Sequence, residues 1–405
     1  MKKPVRTGWG IIVTGIAFVG TGFVADYYIT TLRNHPALTL VGVHDRDPAQ
    51  QKRFASYYNT PTYPNLDALL ADPDVSIVVN LTSPESHAAV SRQALIAGKH
   101  VYSEKPMAMH YDDAAALVQL AEDRGLCLAS APANALSASY KAVAKALSDD
   151  AIGQPRLIYA EMEDGPVFRE RWANWRSPSG APWPGIHEFE VGCTLEHAAY
   201  ALSWLVALCG PVESLTAFSA LCFPDKGQPA GVPLGPDFSV GLLNFRSGVV
   251  ARLTSGLTAP KDRSLTILGD AGTITVDDLW NHHSPARLEQ TAAGRRISEK
   301  IAGRIERRLG RTLPLRPKPG TALPIAAAGK LTLPNFPSQI DFCAGIAAQA
   351  EAIKRQSRPF FSGAVSLHIT ELVLALSNAG RDAAPYILRS TFSGDFPAIA
   401  PAHAG

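Results

Sequence analysis

Residues 14–45, TGIAFVGTGFVADYYITTLRNHPALTLVGVHD, constrain the fold more than any other stretch of the chain. An apolar, β-rich run leads into Gly20-Thr21-Gly22-Phe23-Val24-Ala25. A helical pattern follows, and a second apolar run ends in Asp45. Strand, glycine turn, helix, and strand ending in an acid make one βαβ unit of the dinucleotide-binding kind. In this register Gly20 makes the tight turn and Gly22 lets a pyrophosphate approach the backbone. Ala25 stands where a small residue permits close helix packing. Phe23 and Val24 lead into the helix whose N-terminus attracts the phosphates. Asp45 lies 20 residues beyond Ala25, the distance expected of a ribose-binding acid. A carboxylate there repels a 2′-phosphate, which favours NAD, and Arg46 next to it keeps NADP as the alternative. Gly8-x-Gly10 precedes a β-rich run rather than a helix, and Gly15 to Gly20 is spaced wrongly.

The same region admits two other readings. Lys2, Lys3 and Arg6 precede an uncharged run from Gly8 to Ala25, near the minimum length of a membrane span and similar to the n- and h-regions of a signal peptide. The dense glycines and the missing A-x-A site weigh against both. Five cysteines without CxxC spacing fit reduced thiols, so a cytoplasmic protein is expected.

The βα pattern repeats. "VSIVVNLT" reads as a buried strand, "SPESHAAVSRQALIAGK" as a helix opened by Pro84 and Glu85, "HVYSEKP" as a strand, "DDAAALVQLAEDRG" as a helix and "LCLASAPAN" as a strand. The expectation is an α/β chain: a doubly wound parallel Rossmann sheet over residues 1–135, with residues 136–405 forming a second, α+β domain. There "PRLIYAEMED", "VESLTAFSALCF", "FSVGLLNF", "GVVARLTSGLT" and "SLTILGDAGTITVDDLW" follow one another as strands, indicating a large, mainly antiparallel sheet with a hairpin turn at Arg246-Ser247-Gly248. A length of 405 residues supports two domains, and 46% hydrophobic with 18% charged residues fits a globular enzyme. A net charge of +2 gives no field that argues for nucleic acid.

"GTGFVA", "VHDRDPAQ", "TSPESH", "AGKHVYSEKP" and "AEDRG" together resemble the Gfo/Idh/MocA oxidoreductases, a family that takes in glucose–fructose oxidoreductase and inositol dehydrogenase. The resemblance is weakest around residues 285–335. It implies that Lys105 of the EKP motif reaches the reacting carbon and helps move its proton, and that Pro106 follows a cis bond. A lysine beside a positive nicotinamide ring is expected to have a lowered pKa. The resemblance implies that Thr82, Ser83, Pro84, His87, Glu104, Lys105 and Asn134 join Gly20, Gly22, Phe23, Val24, Ala25, Asp45 and Arg46 at the dinucleotide. It also implies an open sheet face that joins subunits into a homodimer or homotetramer, and a helix at about 363–380 packing back on the first domain.

From Glu190 to Leu208 the periodicity is helical, and Cys193, His197, Tyr200 and Trp204 share one stripe. Aligned on the tryptophan, His197 takes the position of the family's catalytic histidine, while Cys193 stands where the family carries Asp. Glu196 or a backbone carbonyl is then expected to orient His197. A packed helix histidine is the plain alternative. His187, Glu190, Cys193 and His197 include zinc-type donors, but the spacing is not HExxH, and no metal is expected. Trp172, Trp175 and Trp183 among Arg169, Arg171 and Arg176 suit sugar recognition by ring stacking and bonds to hydroxyls, or equally a core or subunit interface. Lys105, Trp172, Trp175, Arg176, His187, Cys193, Glu196 and His197 are therefore the candidate substrate contacts.

The stretch 295–318, RRISEKIAGRIERRLGRTLPLRPK, turns basic. A basic amphipathic helix can bind a membrane surface or nucleic acid. A solvated arm wrapping a neighbouring subunit is the favoured expectation, with neither membrane nor nucleic acid as partner. Three function classes remain. The first is an NAD-dependent sugar or cyclitol dehydrogenase. The second is a glycosidase that oxidises a ring hydroxyl transiently and returns the hydride. The third is a sensor that keeps the fold, against which Lys105 and His197 both argue.

Overall fold

Short apolar runs punctuated by capped helices build the first sheet. The structure, a computed structural model, describes residues 13–291, 297–310, 319–326, 331–335, 338–378 and 385–393. Strands β1 (Thr14–Val19), β2 (Leu38–His44), β3 (Ile77–Asn80), β4 (His100–Ser103) and β5 (Leu128–Ser130) lie in the order β2-β1-β3-β4-β5, all parallel. Helices α1 (Ala25–Leu32), α2 (Pro48–Tyr58), α3 (Leu66–Ala71), α4 (Pro84–Ile96) and α5 (Tyr111–Asp123) connect them. Local chemistry sets their starts. The Asp47 carboxylate caps α2, Asn65 caps α3, and Pro84 opens α4. Because β1 is an inner, buried strand, the stretch 14–19 is neither a membrane span nor a leader, while Gly8 and Gly10 lie outside the described residues. No single described helix is long and apolar enough to cross a membrane.

After α6 (Ala138–Ser148), a nine-stranded sheet forms from β6 (Pro155–Glu163), β7 (Val212–Ala220), β8 (Phe238–Phe245), β9 (Val250–Gly256), β10 (Leu265–Gly269), β11 (Gly272–Val276), β12 (Ala286–Gln290), β13 (Thr321–Ala322) and β14 (Tyr386–Ile387). Its order is β13-β12-β11-β10-β6-β9-β8-β7-β14. The β6–β9 pair at its centre is parallel, so the sheet is mixed rather than simply antiparallel. The chain leaves β6 for the helices of the site and returns through the β7–β8–β9 meander, which brings β9 alongside β6 in the same direction.

The helix expected over 190–208 is two helices, α7 (Gly185–Val191) and α8 (Cys193–Cys209), bent by 82° at Gly192. Gly192 has φ +86°, and a Cβ there would meet Pro236 O at 2.7 Å, so only glycine makes this break. One face of the large sheet is covered by α8 and by α11 (Gly363–Ser377). The latter also packs on α5 and β5, where Ser366 Oγ accepts from Ser130 N at 3.0 Å. The expected return of this helix to the first sheet is thus seen, ending at Ser377, with residues 379–380 outside the described set. The helix α10 (Ala344–Lys354) backs β4, and α9 (Ile297–Leu309) stands apart within the basic stretch, whose ends 295–296 and 311–318 lie outside the described residues.

The outer face of the large sheet is partly apolar, with exposed Val250 among its residues. It mixes exposed Phe218, Leu242 and Tyr159 with Thr216 and Thr254, and an Arg252–Glu161 ion pair crosses it.

Candidate active site

The carboxyl ends of four parallel strands open onto one cleft of about 860 Å³. Gly20 ends β1, Asp45 follows β2, the Thr82–Pro84 loop follows β3, and Glu104-Lys105 follows β4; all line it. Gly20 has φ +98°, and a Cβ there would sit 2.5 Å from Leu81 O. A Cβ on Gly22 would meet no atom within 4 Å, and Gly22 faces the cleft, so this backbone is bare towards it. No side chain caps α1; Ala25 N donates to Gly22 O at 3.2 Å and Tyr27 N to Val24 O at 3.0 Å, and the helix start with its partial positive charge faces the cleft through Gly22, Phe23 and Val24. Phe23 and Val24 line the cleft, and Ala25 is fully buried beneath it. These residues fit a dinucleotide pyrophosphate.

Asp45 is held in place. Its Oδ2 accepts from Thr21 N at 2.7 Å and Thr21 Oγ1 at 2.8 Å, and its Oδ1 accepts from Asp47 N at 2.9 Å. Arg46 lines the cleft beside it. His87 is buried, with Nδ1 2.7 Å from Pro106 O and Nε2 3.0 Å from Thr82 O, so it ties the Thr82–Pro84 loop to the turn after Lys105. The Lys105–Pro106 bond is cis. Asn134 does not reach the cleft. Its amide donates to Tyr200 O and Leu279 O and accepts from Ser203 Oγ, so it braces α8 from behind.

A strap from the second domain forms the opposite wall. The buried Asp26 of α1 accepts from Ser177 Oγ (2.8 Å), Ser179 N (2.7 Å), Ser179 Oγ (2.8 Å) and Tyr58 Oη (2.7 Å), which pins the strap across α1. It presents Trp175 and Trp183 to the cleft. Trp172 instead packs on Trp183 and Phe189, with centroids at 6.1 and 5.4 Å, and Arg176 is spent on the carbonyls of Ala173 and Trp175; neither lines the cleft. His187 lines it and bonds Glu85 at 2.8 Å, a second link between the two walls.

At the inner end, Lys105 Nζ donates to Glu196 Oε2 at 2.6 Å across 91 residues of sequence. Burial alone would lower the Lys105 pKa, but the carboxylates of Glu196 and Glu104 outweigh it and hold the ammonium above its ordinary value. With these carboxylates beside it, Lys105 is a cation. Glu104 is itself oriented by Tyr28 Oη at 2.6 Å.

His197 lines the same cleft, edge-on to Trp280 with ring centroids 5.5 Å apart. Because Glu196 is engaged by Lys105, the carboxylate nearest His197 Nε2 is Asp164, at 3.9 Å. Burial lowers the His197 pKa despite the attraction of Asp164 and Glu196, so the ring is neutral near pH 7. Its Nδ1 is buried and meets no hydrogen-bond partner. Asp164 is paired with Arg263, whose guanidinium lies 3.7 Å above the Trp280 ring.

Cys193 is not a contact. Its thiol is fully buried, donates to Ser255 O at 3.3 Å, and burial pushes its pKa up to about 12. This separates the donors considered for zinc, and no group of three such residues is placed to hold a metal among the described residues.

Glu188, which the sequence reading passed over, faces the cleft one helical turn before the Gly192 break. Burial and the neighbouring Glu196 carboxylate push its pKa well above the usual carboxylate range. The site therefore gathers, within one cleft, a lysine held above its ordinary pKa, a glutamate held below its own, a second glutamate pushed well up and a histidine pushed down.

Residues 14–131 match the family described as "Oxidoreductase family, NAD-binding Rossmann fold", and residues 140–275 match the GFO/IDH/MocA C-terminal domain. The chain belongs to the Gfo/Idh/MocA oxidoreductase family. An uncharacterized oxidoreductase of Synechocystis sp. is 28% identical over 219 residues, 53% of this chain and 56% of that protein, so the match spans little more than half of that relative. The dTDP-3,4-didehydro-2,6-dideoxy-alpha-D-glucose 3-reductase of Saccharopolyspora spinosa is 28% identical over 277 residues, 68% of this chain and 76% of that protein. Among solved structures, aldose-aldose oxidoreductase from Caulobacter crescentus, complexed with glycerol, shares the fold with a TM-score of 0.70 at 20% identity, over 93% of this chain and 100% of that one. The Gfo/Idh/MocA assignment makes the first sheet an NAD(P)-binding Rossmann fold.

Proposed function

We propose that this protein is an NAD-dependent dehydrogenase acting on a hydroxyl-bearing carbon of a sugar or cyclitol. The observation that carries this is the Lys105–Glu196 ion pair at 2.6 Å, in one cleft with a neutral His197. When bound, nicotinamide supplies the hydride acceptor. Lys105, as an ammonium, donates a hydrogen bond to the reacting oxygen and stabilises the negative charge that develops there. His197, its pKa lowered by burial and its ring lining the cleft, accepts the hydroxyl proton. Glu196 fixes the lysine, while Trp175 and Trp183 offer aromatic faces to a ring substrate. Asp45 at the end of β2 favours NAD by repelling a 2′-phosphate, and Arg46 is its counterweight. In a thermal-shift titration NAD should bind at least about tenfold more tightly than NADP, or about 1.4 kcal/mol. Tighter NADP binding would reverse this reading of Asp45.

A second reading rests on Glu188. A cleft carboxyl whose pKa is pushed up by burial and by Glu196 suits the protonation of a glycoside's leaving oxygen. In that case the enzyme oxidises a ring hydroxyl, releases the aglycone and returns the hydride. Stoichiometry separates the two: with a panel of sugars and aryl glycosides, a dehydrogenase accumulates NADH, and a redox-recycling hydrolase releases aglycone without it. Turnover with neither outcome across the panel would sink both.

We also propose a cytoplasmic homodimer or homotetramer joined through the outer face of the large sheet. Phe218, 59% exposed, and Leu242, 51% exposed, support it. Light scattering at micromolar concentration should give twice or four times the chain mass of 43.2 kDa. Phe218→Glu with Leu242→Glu should give a monomer, and a wild-type monomer would refute the proposal.

A further inference from the structure

Helix α9 has no sustained packing against any other described element, yet it carries an apolar stripe. Ile301, Ile305 and Leu309 lie four residues apart and are 51%, 41% and 52% exposed. Successive members drift by about 40° around the axis, so they form one continuous face. Arg304 and Arg308 border that face on one side, and they and Arg307 are exposed. The stretch 295–318 holds nine Lys or Arg and two Glu, while the whole chain has a net charge of only +2, so the remainder of the protein is net acidic.

An exposed apolar face bordered by guanidinium groups calls for an occupant that is apolar within and anionic at its surface. We propose that α9 docks the protein on an anionic lipid bilayer. The isoleucine and leucine side chains enter the boundary between headgroups and acyl chains, and the arginines reach the phosphates. A bilayer suits this helix better than a second copy of the chain. A second α9 would bring the same arginines face to face, and on the outer face of the large sheet Glu161 is already paired with Arg252. The docking does not depend on the reaction proposed above, since α9 contributes no residue to the cleft.

The test is co-sedimentation of the full-length protein with two kinds of vesicle: phosphatidylcholine alone, and an equal mixture of phosphatidylcholine and phosphatidylglycerol. The bound fraction should be at least about tenfold higher on the anionic vesicles and should fall with added salt. Ile301→Glu with Leu309→Glu, and separately Arg304→Glu with Arg307→Glu and Arg308→Glu, should each abolish that preference, with thermal stability and dinucleotide binding unchanged. Equal or absent binding to both vesicles overturns the proposal, as does anionic binding that survives both variants. If vesicles do not bind and the variants lower the oligomeric mass, the occupant is a second copy. If only duplex DNA binds, it is nucleic acid. Either result overturns the lipid assignment.

Discussion

Lys105→Met is expected to lower turnover by at least ~100-fold, the scale of a positioned proton-transfer or charge-stabilising group, and to leave dinucleotide affinity within about threefold. The methionine keeps the length and apolar stem of the lysine and removes only its charge and donors. The backbone at this point is fixed independently of Nζ: Lys105 N donates to Glu104 Oε2 at 3.1 Å, and His87 Nδ1 lies against Pro106 O. The pyrophosphate cradle at Gly20 and Gly22 is likewise untouched. Turnover should therefore fall without loss of the fold, and a thermal shift with NAD should persist in the variant. Normal turnover in Lys105→Met would remove the residue from the mechanism. Loss of NAD binding together with activity would give Lys105 a role in holding the cofactor instead.

The parts of this protein that could be read from its sequence are those encoded by neighbours along the chain. The Gly20–Ala25 turn, the Asp45 strand end, Pro84 at the start of α4 and the glycine turn at Gly248 each depend on a handful of adjacent residues, and each is found where expected. Helices α2, α6 and α10 were passed over, although Asp47-Pro48 and Ser137 are ordinary start signals for the first two. The Gly192 break was missed because apolar periodicity runs through it; only the approach of Pro236 makes the glycine necessary.

The site divides along the same line. Lys105 was legible through its motif, but its pKa was not, because Glu196 comes from a helix 91 residues away. Asp164 and Glu188 carry no local signal. The first matters because Arg263 and His197 converge on it, and the second because Glu196 is its neighbour in space. Cys193 and Trp172 lie away from the cleft lining for the converse reason. Their residue types and spacing suited a site, but Cys193 is buried beside the bend at Gly192, and Trp172, half-buried, packs on Phe189 outside the cleft.

Glu196→Gln is expected to move the alkaline limb of the kcat/KM profile down by about one pH unit or more and to cut kcat by about tenfold. The sign follows from what surrounds Lys105. Burial disfavours its ammonium form, and the Glu196 and Glu104 carboxylates reverse that, so the folded-state pKa lies above the ordinary lysine value. In the wild type the ammonium persists to a pH at which a free lysine has lost its proton, and activity that depends on it persists equally far. Glutamine keeps the size of the side chain and a hydrogen-bond acceptor but removes the nearest negative charge. Burial then weighs more heavily against Glu104 alone, the Lys105 pKa falls, and the cation is lost at lower pH. Glu188 should respond in the same variant: with the neighbouring carboxylate gone, one cause of its raised pKa disappears, and it ionises more readily. A carbon-detected titration of the labelled glutamates would report this independently of turnover. If the alkaline limb of Glu196→Gln stays where the wild type has it, Lys105 is not the group whose protonation governs catalysis, and the cationic role assigned to it here fails.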